Sequence, residues 1–375
     1  MTTTAEFTRL ILWSDLRRLA AITDQTVACA DGPEVAGLRH DGVRVLTIPI
    51  RRKLAPIADL RAIVALWRVL RRERFDLLHS YVPKGGLVGQ IAGWLAGVPR
   101  RVHTWHGLLY APTMPAWQRV VLPITDRIIN RLAHRVLFIS EADREAALGR
   151  RLCRPDRSRL VGTGVDLARF APDAVPPGTR ARVRRELGIP PDAFLVLTVG
   201  RYVADKGFRE LAEAAAMLAR ADVAAHFVWI APVFEGEQGV LPDALAQRAD
   251  TVGSITRLGM QDDVRPFYAA ADVLALPSYR EGVPKVLIEA AAMGLPIVAS
   301  DIPGCRQVIR SDDTGLLVPP ADARALADAL MGVRTNPDQA RRRAEAARRD
   351  AVDRFDDAGS VERIQAVYRE LLPGS

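Results

Sequence analysis

Two glutamates, Glu281 and Glu289, flank Gly282-Val-Pro-Lys-Val-Leu-Ile288 and are followed by Ala290-Ala-Ala-Met-Gly-Leu-Pro296. The stretch reads as a loop, a helix, a turn and a strand. Pro284 marks the helix start, because the first turn does not need the N–H that proline lacks. Helix formers run from Lys285 to Met293; Gly294 supplies a stop and Pro296 forbids continuation. The N–H groups of such a loop and the positive end of the helix favour an anion such as a phosphate. Gly282, Val283, Pro284, Lys285 and Val286 then form one wall of an anion site. Glu289, one to two turns inside the helix, can accept hydrogen bonds from paired hydroxyls, as on a ribose. Glu281 faces a different part of the same ligand. Eight fully helical residues span about 12 Å, too far for a glycosidase acid pair, which needs roughly 5 to 9.5 Å. The plain alternative is two ordinary helix-start acids favoured by the dipole.

A second constellation lies upstream. Leu195-Val-Leu-Thr-Val-Gly200 reads as a strand, Arg201 and Lys206 follow it, and a helix begins near Phe208. A basic pair at a strand end, beside a helix N-terminus, makes a clamp for a diphosphate. Exposed loop charges are the competing reading. His106 stands at the end of the strand Arg101-Val-His-Thr-Trp105, the edge at which open parallel sheets bind ligands. A lone histidine is more often structural, and His103 is the weaker candidate.

These residues need a scaffold of alternating strands and helices, and the rest of the chain supplies it. Apolar runs at 26–30, 43–49, 75–79, 135–140, 226–231, 252–259, 271–277, 297–299 and 315–319 read as strands of parallel βαβ units. Ile57 to Arg72 is an amphipathic helix ending in Arg68, Arg71, Arg72 and Arg74. Those arginines serve dipole compensation or a basic rim. Gly85, Gly89, Gly93 and Gly97 fall every four residues, which in a water-soluble setting means close packing of helix on sheet. Trp117-Gln-Arg-Val-Val-Leu122 mixes Trp and Arg with aliphatics, as interfacial patches do, with core packing as the alternative. Phe7 to Leu19 already reads as a helix, ahead of the first clear strand at 26–30. Asp322 to Arg349 reads as one long helix, and Val361 to Leu372 as the last.

Composition sets the outer limits. The chain has 375 residues, 49% hydrophobic and 26% charged, enough for two domains with separate cores. Three cysteines without metal spacing argue for a reducing compartment and against a zinc site. No signal peptide and no membrane-length apolar run stand out, which points to the cytoplasm. Residues 1–172 hold 27 Lys and Arg against 15 Asp and Glu, and residues 173–375 hold 25 against 29. A basic first half implies an anionic partner: nucleic acid, or an anionic membrane carrying a lipid-linked pyrophosphate. No aromatic-rich RNA-binding signature accompanies the charge, so nucleic acid is not expected.

Glu281, seven residues and Glu289, followed by Met-Gly-Leu-Pro-Ile-Val-Ala, resembles the E-x7-E motif of family 4 retaining glycosyltransferases. His103-Thr-Trp-His-Gly107 and Pro83-Lys-Gly-Gly86 resemble the capsular-polysaccharide branch of that family. The resemblance implies an α/β GT-B fold, two Rossmann-like domains with a nucleotide-sugar in the cleft between them. Residues 1–172 would form the acceptor-side domain and 173–355 the donor domain, with 356–375 a helix crossing back to the first. The family opens with a strand and a Gly-containing loop, which are expected to be missing here because Phe7 to Leu19 already reads as the helix that follows them. It implies transfer, with retention, from a UDP-linked sugar to a saccharide or lipid-linked saccharide of an envelope polysaccharide, peripherally on the inner face of the plasma membrane. Arg201 and Lys206 would stabilise the leaving diphosphate, Glu289 the ribose, and Glu281 and His106 the transferred sugar. Arg257 and Leu258 would approach the base. No cofactor and no metal is expected, since no Asp-x-Asp stands at a plausible strand end and the clamp supplies positive charge. A nucleotide-sugar epimerase of the same fold and a non-catalytic nucleotide-sugar-binding subunit are the alternatives.

Overall fold

Short apolar strands alternating with amphipathic helices bury a parallel sheet between helix layers. The computed structural model of the chain does this twice. It describes residues 1–51, 55–108, 116–234, 237, 239–242, 245 and 255–372. One unit runs from Met1 to Thr163 and takes in the C-terminal stretch from Asp357; the other is Gly164–Asp356. Residues 164–172, read from sequence as part of the first domain, therefore belong to the second unit.

The first unit contains β1 (Thr26–Cys29), β2 (Arg44–Thr47), β3 (Leu77–Tyr81), β4 (Arg100–Trp105), β5 (Arg135–Phe138) and β6 (Ser158–Leu160). β1 pairs with β2, and β3 to β6 form a second ladder in chain order, all parallel. Met1–Thr3 lies between the two ladders. Thr2 N–H donates to Ala28 O (2.9 Å) and Ala30 N–H to Thr3 O (3.2 Å). On the other side Tyr81 N–H donates to Met1 O (2.9 Å). The place expected to lack a first strand is thus filled over three residues, and Thr4 then caps the helix Ala5–Ile11. The stretch 7–19 is two helices, Ala5–Ile11 and Trp13–Leu19, rather than one.

The helix Pro83–Ala96 shows what its glycines do. A Cβ on Gly86 would stand 2.5 Å from His103 Cε1, and one on Gly93 2.5 Å from Leu78 Cδ2. Gly85 and Gly89 face Thr2 and Ser80 at 3.2 Å in the same way. Gly97 takes no part in this packing: it ends the helix at φ +71, the left-handed conformation glycine adopts without a Cβ clash. The helix Asp357–Leu371 buries Val361, Ile364, Val367 and Leu371 against Val102, Leu137 and Val161 of the first unit. Tyr368 OH lies 2.6 Å from His79 Nδ1.

The second unit contains β7 (Phe194–Val199), β8 (Ala225–Ile230), β9 (Ile255–Leu258), β10 (Val273–Leu276), β11 (Ile297–Ser300) and β12 (Leu316–Val318). They form one parallel sheet in the order β12-β11-β10-β7-β8-β9. The strand read at 252–259 is described from Ile255 on; 252–254 lie outside the described residues. Tyr202, Phe208 and Trp229 pack ring to ring in its core. The helical stretch after Asp322 breaks at Asn336-Pro337 into Ala323–Thr335 and Pro337–Arg354, because proline cannot continue the first helix but suits the start of the second.

Candidate active site

In the second sheet β7 and β10 are neighbours, yet the chain leaves β7 toward β8 and leaves β10 toward β11, on opposite sides. Such a reversal opens a crevice at the carboxyl ends of the two strands, the usual ligand site of an open parallel sheet. Arg201 and Lys206 follow β7, and Glu281 follows β10. Two glycines press the loops together. Gly207 has φ +74, and a Cβ there would stand 2.1 Å from Pro277 O. A Cβ on Gly304 would stand 2.4 Å from Gly282 O and 2.5 Å from Glu281 O. No other residue type fits at either position without moving backbone.

Lys206 and Glu281 meet across these loops. Lys206 Nζ donates to Glu281 Oε1 at 2.6 Å, with both side chains largely buried. Arg201 Nη1 donates to Glu237 Oε1. Gly282 lies in the loop pressed by Gly304, Val283 and Pro284 are buried, and Lys285 and Val286 open the helix Lys285–Ala292, whose start has no side-chain cap. Glu289, on that helix, accepts a hydrogen bond from Tyr268 OH at 2.8 Å. Burial raises the Glu289 pKa above the usual carboxyl range, opposed by the Tyr268 hydrogen bond and the nearby charges of Lys285 and Arg169. The two glutamates of the motif therefore have separate partners, one an ammonium and one a phenol. Arg257 lies with its guanidinium 3.9 Å over the Tyr202 ring, and Leu258 pairs with Ile230 in the sheet. Among the described residues no group of three or more His, Cys, Asp and Glu is placed to hold a metal ion.

His106 belongs to the first unit. Its ring sits edge-on to Phe7 at 5.2 Å and tilted against Tyr81 at 5.8 Å, just past the end of β4. Gly107 turns the chain at φ +107, and Leu108 N–H donates to Asp143 Oδ1 at 3.2 Å. His103 is not a ligand candidate after all. It is fully buried beneath Gly86, its Nδ1 is 2.9 Å from Ser80 Oγ, and burial lowers its pKa to about 3. Three residues at the site escaped the sequence reading. Glu237 and Tyr268 carry no motif and reach the site only through the fold. Gly304 carried a signal, a glycine just after Pro303 at a strand-to-helix turn, that spacing alone did not distinguish from an ordinary cap.

The model "Glycosyl transferases group 1" matches residues 193–336, and "Glycosyl transferase 4-like domain" matches residues 12–164. The chain is 26% identical over 354 residues to an Escherichia coli enzyme named UDP-Gal:alpha-D-GlcNAc-diphosphoundecaprenol alpha-1,3-galactosyltransferase, covering 93% of this chain and 89% of that one. It is 32% identical to the D-inositol 3-phosphate glycosyltransferase of Saccharomonospora viridis, covering 81% of this chain and 73% of that one. The crystal structure of Anabaena HepE in complex with UDP and glucose superposes with a TM-score of 0.79 at 23% identity, covering 92% and 91% of the two chains. The fold is that of the GT-B glycosyltransferases, and the chain belongs to the group 1, family 4 glycosyltransferases.

Proposed function

We propose that this glycosyltransferase moves a sugar, with retention, from a UDP-sugar to a lipid-linked saccharide. The observation that carries the donor half is the meeting of Lys206 with Glu281 at the switch point of the second sheet, with the Lys206 side chain passing Gly200, the residue before Arg201. Two cations on the loop after β7, with the helix Lys285–Ala292 starting uncapped four residues after Glu281, match a diphosphate leaving group, and their stabilisation of its developing charge is the catalytic contribution. Glu289, held by Tyr268, takes the ribose hydroxyls, Glu281 takes a hydroxyl of the transferred sugar, and Arg257 and Leu258 approach the base. His106, at the carboxyl end of β4 in the first unit, is the candidate there for a contact with a sugar hydroxyl. Glu281, paired with Lys206, and Glu289, held by Tyr268, serve hydroxyls rather than attack, so the sugar leaves and is attacked on one face, with the donor phosphate taking the acceptor proton. Arg201 and Lys206 supply the positive charge, and the reaction proceeds without a divalent metal. One relative, named for a UDP-galactose donor and a diphosphoundecaprenol-linked acceptor, supports the donor and acceptor classes. The test is incubation with UDP-sugars and an undecaprenyl-diphosphate saccharide, with and without EDTA, followed by NMR of the new linkage. A new glycosidic bond of the donor's anomeric configuration, unaffected by EDTA, is expected. An inverted linkage, a free isomerised donor or loss of activity in EDTA would each overturn the corresponding part.

The acceptor reading extends to an anionic membrane surface. On the helix Ala116–Leu132, Trp117, Val120, Ile124 and Ile128 are all exposed at helical spacing, with Arg127 and Arg131 exposed alongside. The opposite face, Asp126, Ile129 and Asn130, is buried. An apolar stripe rimmed by arginines fits the headgroup region of anionic lipid. Among the described residues no helix is long and apolar enough to cross a membrane. Co-sedimentation with phosphatidylglycerol vesicles but not phosphatidylcholine vesicles, reduced by Trp117→Ser/Ile124→Ser, is the expected result. Equal recovery with both lipids, or no effect of the substitutions, would remove this part of the reading.

A further inference from the structure

Glu237 places a second carboxylate at the cations. Its side chain is 6% exposed, against 39% for the Arg201 it pairs with. Described residues on either side of it, Pro232 and Gly239–Leu241, are fastened to the segment that carries Arg201. Tyr202 N–H donates to Pro232 O at 3.0 Å, Ala204 N–H to Gly239 O at 2.8 Å, and Leu241 N–H to Tyr202 O at 3.3 Å. Val203 and Val240 form an antiparallel bridge. Glu237 is therefore built into the site. With Glu281 on Lys206, each cation of the pair faces a carboxylate among the described residues, and the formal charges of these four side chains cancel.

We propose that Glu237 is a specificity residue that sets the donor site against ligands carrying surplus phosphate charge; this rests on the reading of Arg201 and Lys206 as the diphosphate site. The reasoning is electrostatic. A ligand phosphate drawn to Arg201 also meets the Glu237 carboxylate at ion-pair range, and that repulsion grows with each negative charge the ligand brings. A free nucleoside diphosphate ends in a phosphate monoester, whose second ionisation falls near pH 6. The sugar of a nucleotide-sugar esterifies that oxygen, so the donor carries about one charge fewer at pH 7 than the product it leaves behind. A sugar also brings hydroxyls that can donate to Glu281, whereas the bare diphosphate brings only acceptors. The two carboxylates thus weaken the product more than the donor, a selection made by repulsion rather than by added contacts. Arg201 and Lys206 can then be strong enough to stabilise the leaving group without trapping it.

The experiment titrates wild type, Glu237→Gln, Glu237→Ala and Arg201→Ala with UDP, GDP, ADP and UDP-glucose by calorimetry at pH 7.5, with the melting temperature of each variant recorded. The inference expects Glu237→Gln to bind the preferred nucleoside diphosphate about tenfold tighter than wild type, with a clearly smaller gain for the nucleotide-sugar and a gain that shrinks at 0.5 M salt. Glu237→Ala should move in the same direction and serves if the Gln variant does not fold. Unchanged or weaker diphosphate binding in both variants would overturn the inference and make Glu237 a support for Arg201. An equal gain for diphosphate and nucleotide-sugar would also overturn it. If Arg201→Ala abolishes binding while Glu237→Gln changes nothing, the donor-site reading stands and only this inference fails. If wild type binds no nucleotide, both fail.

Discussion

At the scale of single residues, Glu289 shows how the site is held ready. Its neighbour Tyr268 donates to it, yet burial raises its pKa, so the folded protein keeps the neutral form to higher pH than the unfolded chain does. A raised carboxyl pKa means that the folded state binds more protons above the ordinary value of 4.5, and stability falls as pH rises through that window. Glu289 therefore costs stability at neutral pH. Glu289→Gln, which keeps an oxygen for Tyr268, should raise the melting temperature at pH 7, and the gain should vanish as pH falls below 4.5. A lower melting temperature at pH 7 would show that the carboxylate is a net structural asset instead. The histidines divide in a way the sequence did not show. His103 and His106 share one motif, but His103 lies under a helix because Gly86 has no Cβ, and only the three-dimensional packing reveals that. Likewise Glu237 is one acid among many in the chain until the fold sets it against Arg201.

At the scale of elements, the site depends on three loops pressed together at the ends of β7, β10 and β11. Gly304 tests the Glu281 loop most specifically, because its helix start touches the carbonyls of Glu281 and Gly282. Gly304→Ala must push the 281–284 loop outward. The expected cost is about 1–3 kcal/mol of stability, typical of overpacking, with nucleotide affinity reduced as Glu281 leaves Lys206. Denaturant unfolding and nucleotide titration on the same variant measure both, and unchanged affinity would show that the loop's position does not matter for binding. Strands and helices at this scale were legible, since period and proline or glycine stops mark them. Leu12 and Asn336 were not: the apolar period runs straight across Leu12, and a single Asn-Pro pair divides the last long helices. The extended Met1–Thr3 segment that bridges the two ladders was likewise invisible, because Met-Thr-Thr has no run of apolar residues to announce it.

At the scale of the molecule, two units carry the chain, and the first is closed by the helix Asp357–Leu371 returning from the end of the sequence. Arg363 Nε donates to Val161 O at 2.7 Å, Arg100 Nε to Leu371 O at 2.6 Å, and Arg18 pairs with buried Asp357 at 2.8 Å. Buried histidines make this unit sensitive to acid. Burial lowers the pKa of His103 to about 3 and that of His79 well below 6.5. Below pH 6.5 the unfolded chain takes up protons that the folded unit refuses, so stability drops as pH falls. His103 alone should cost ~2 kcal/mol between pH 6.5 and 5, from 1.36 kcal/mol per pH unit. Urea unfolding at the two pH values should show this loss, and His103→Asn should reduce it; an identical slope in wild type and variant would assign the acid sensitivity elsewhere.

The central claim is that Arg201 and Lys206 bind a nucleoside diphosphate in the second unit. Thermal unfolding with UDP, GDP and ADP, on wild type and on Arg201→Ala/Lys206→Ala, tests it most directly. The account predicts that UDP stabilises wild type more than GDP or ADP, and that the double variant, folded but lacking both cations, shows no shift. Equal stabilisation of wild type and the double variant, or none by any of the three nucleotides, would contradict it.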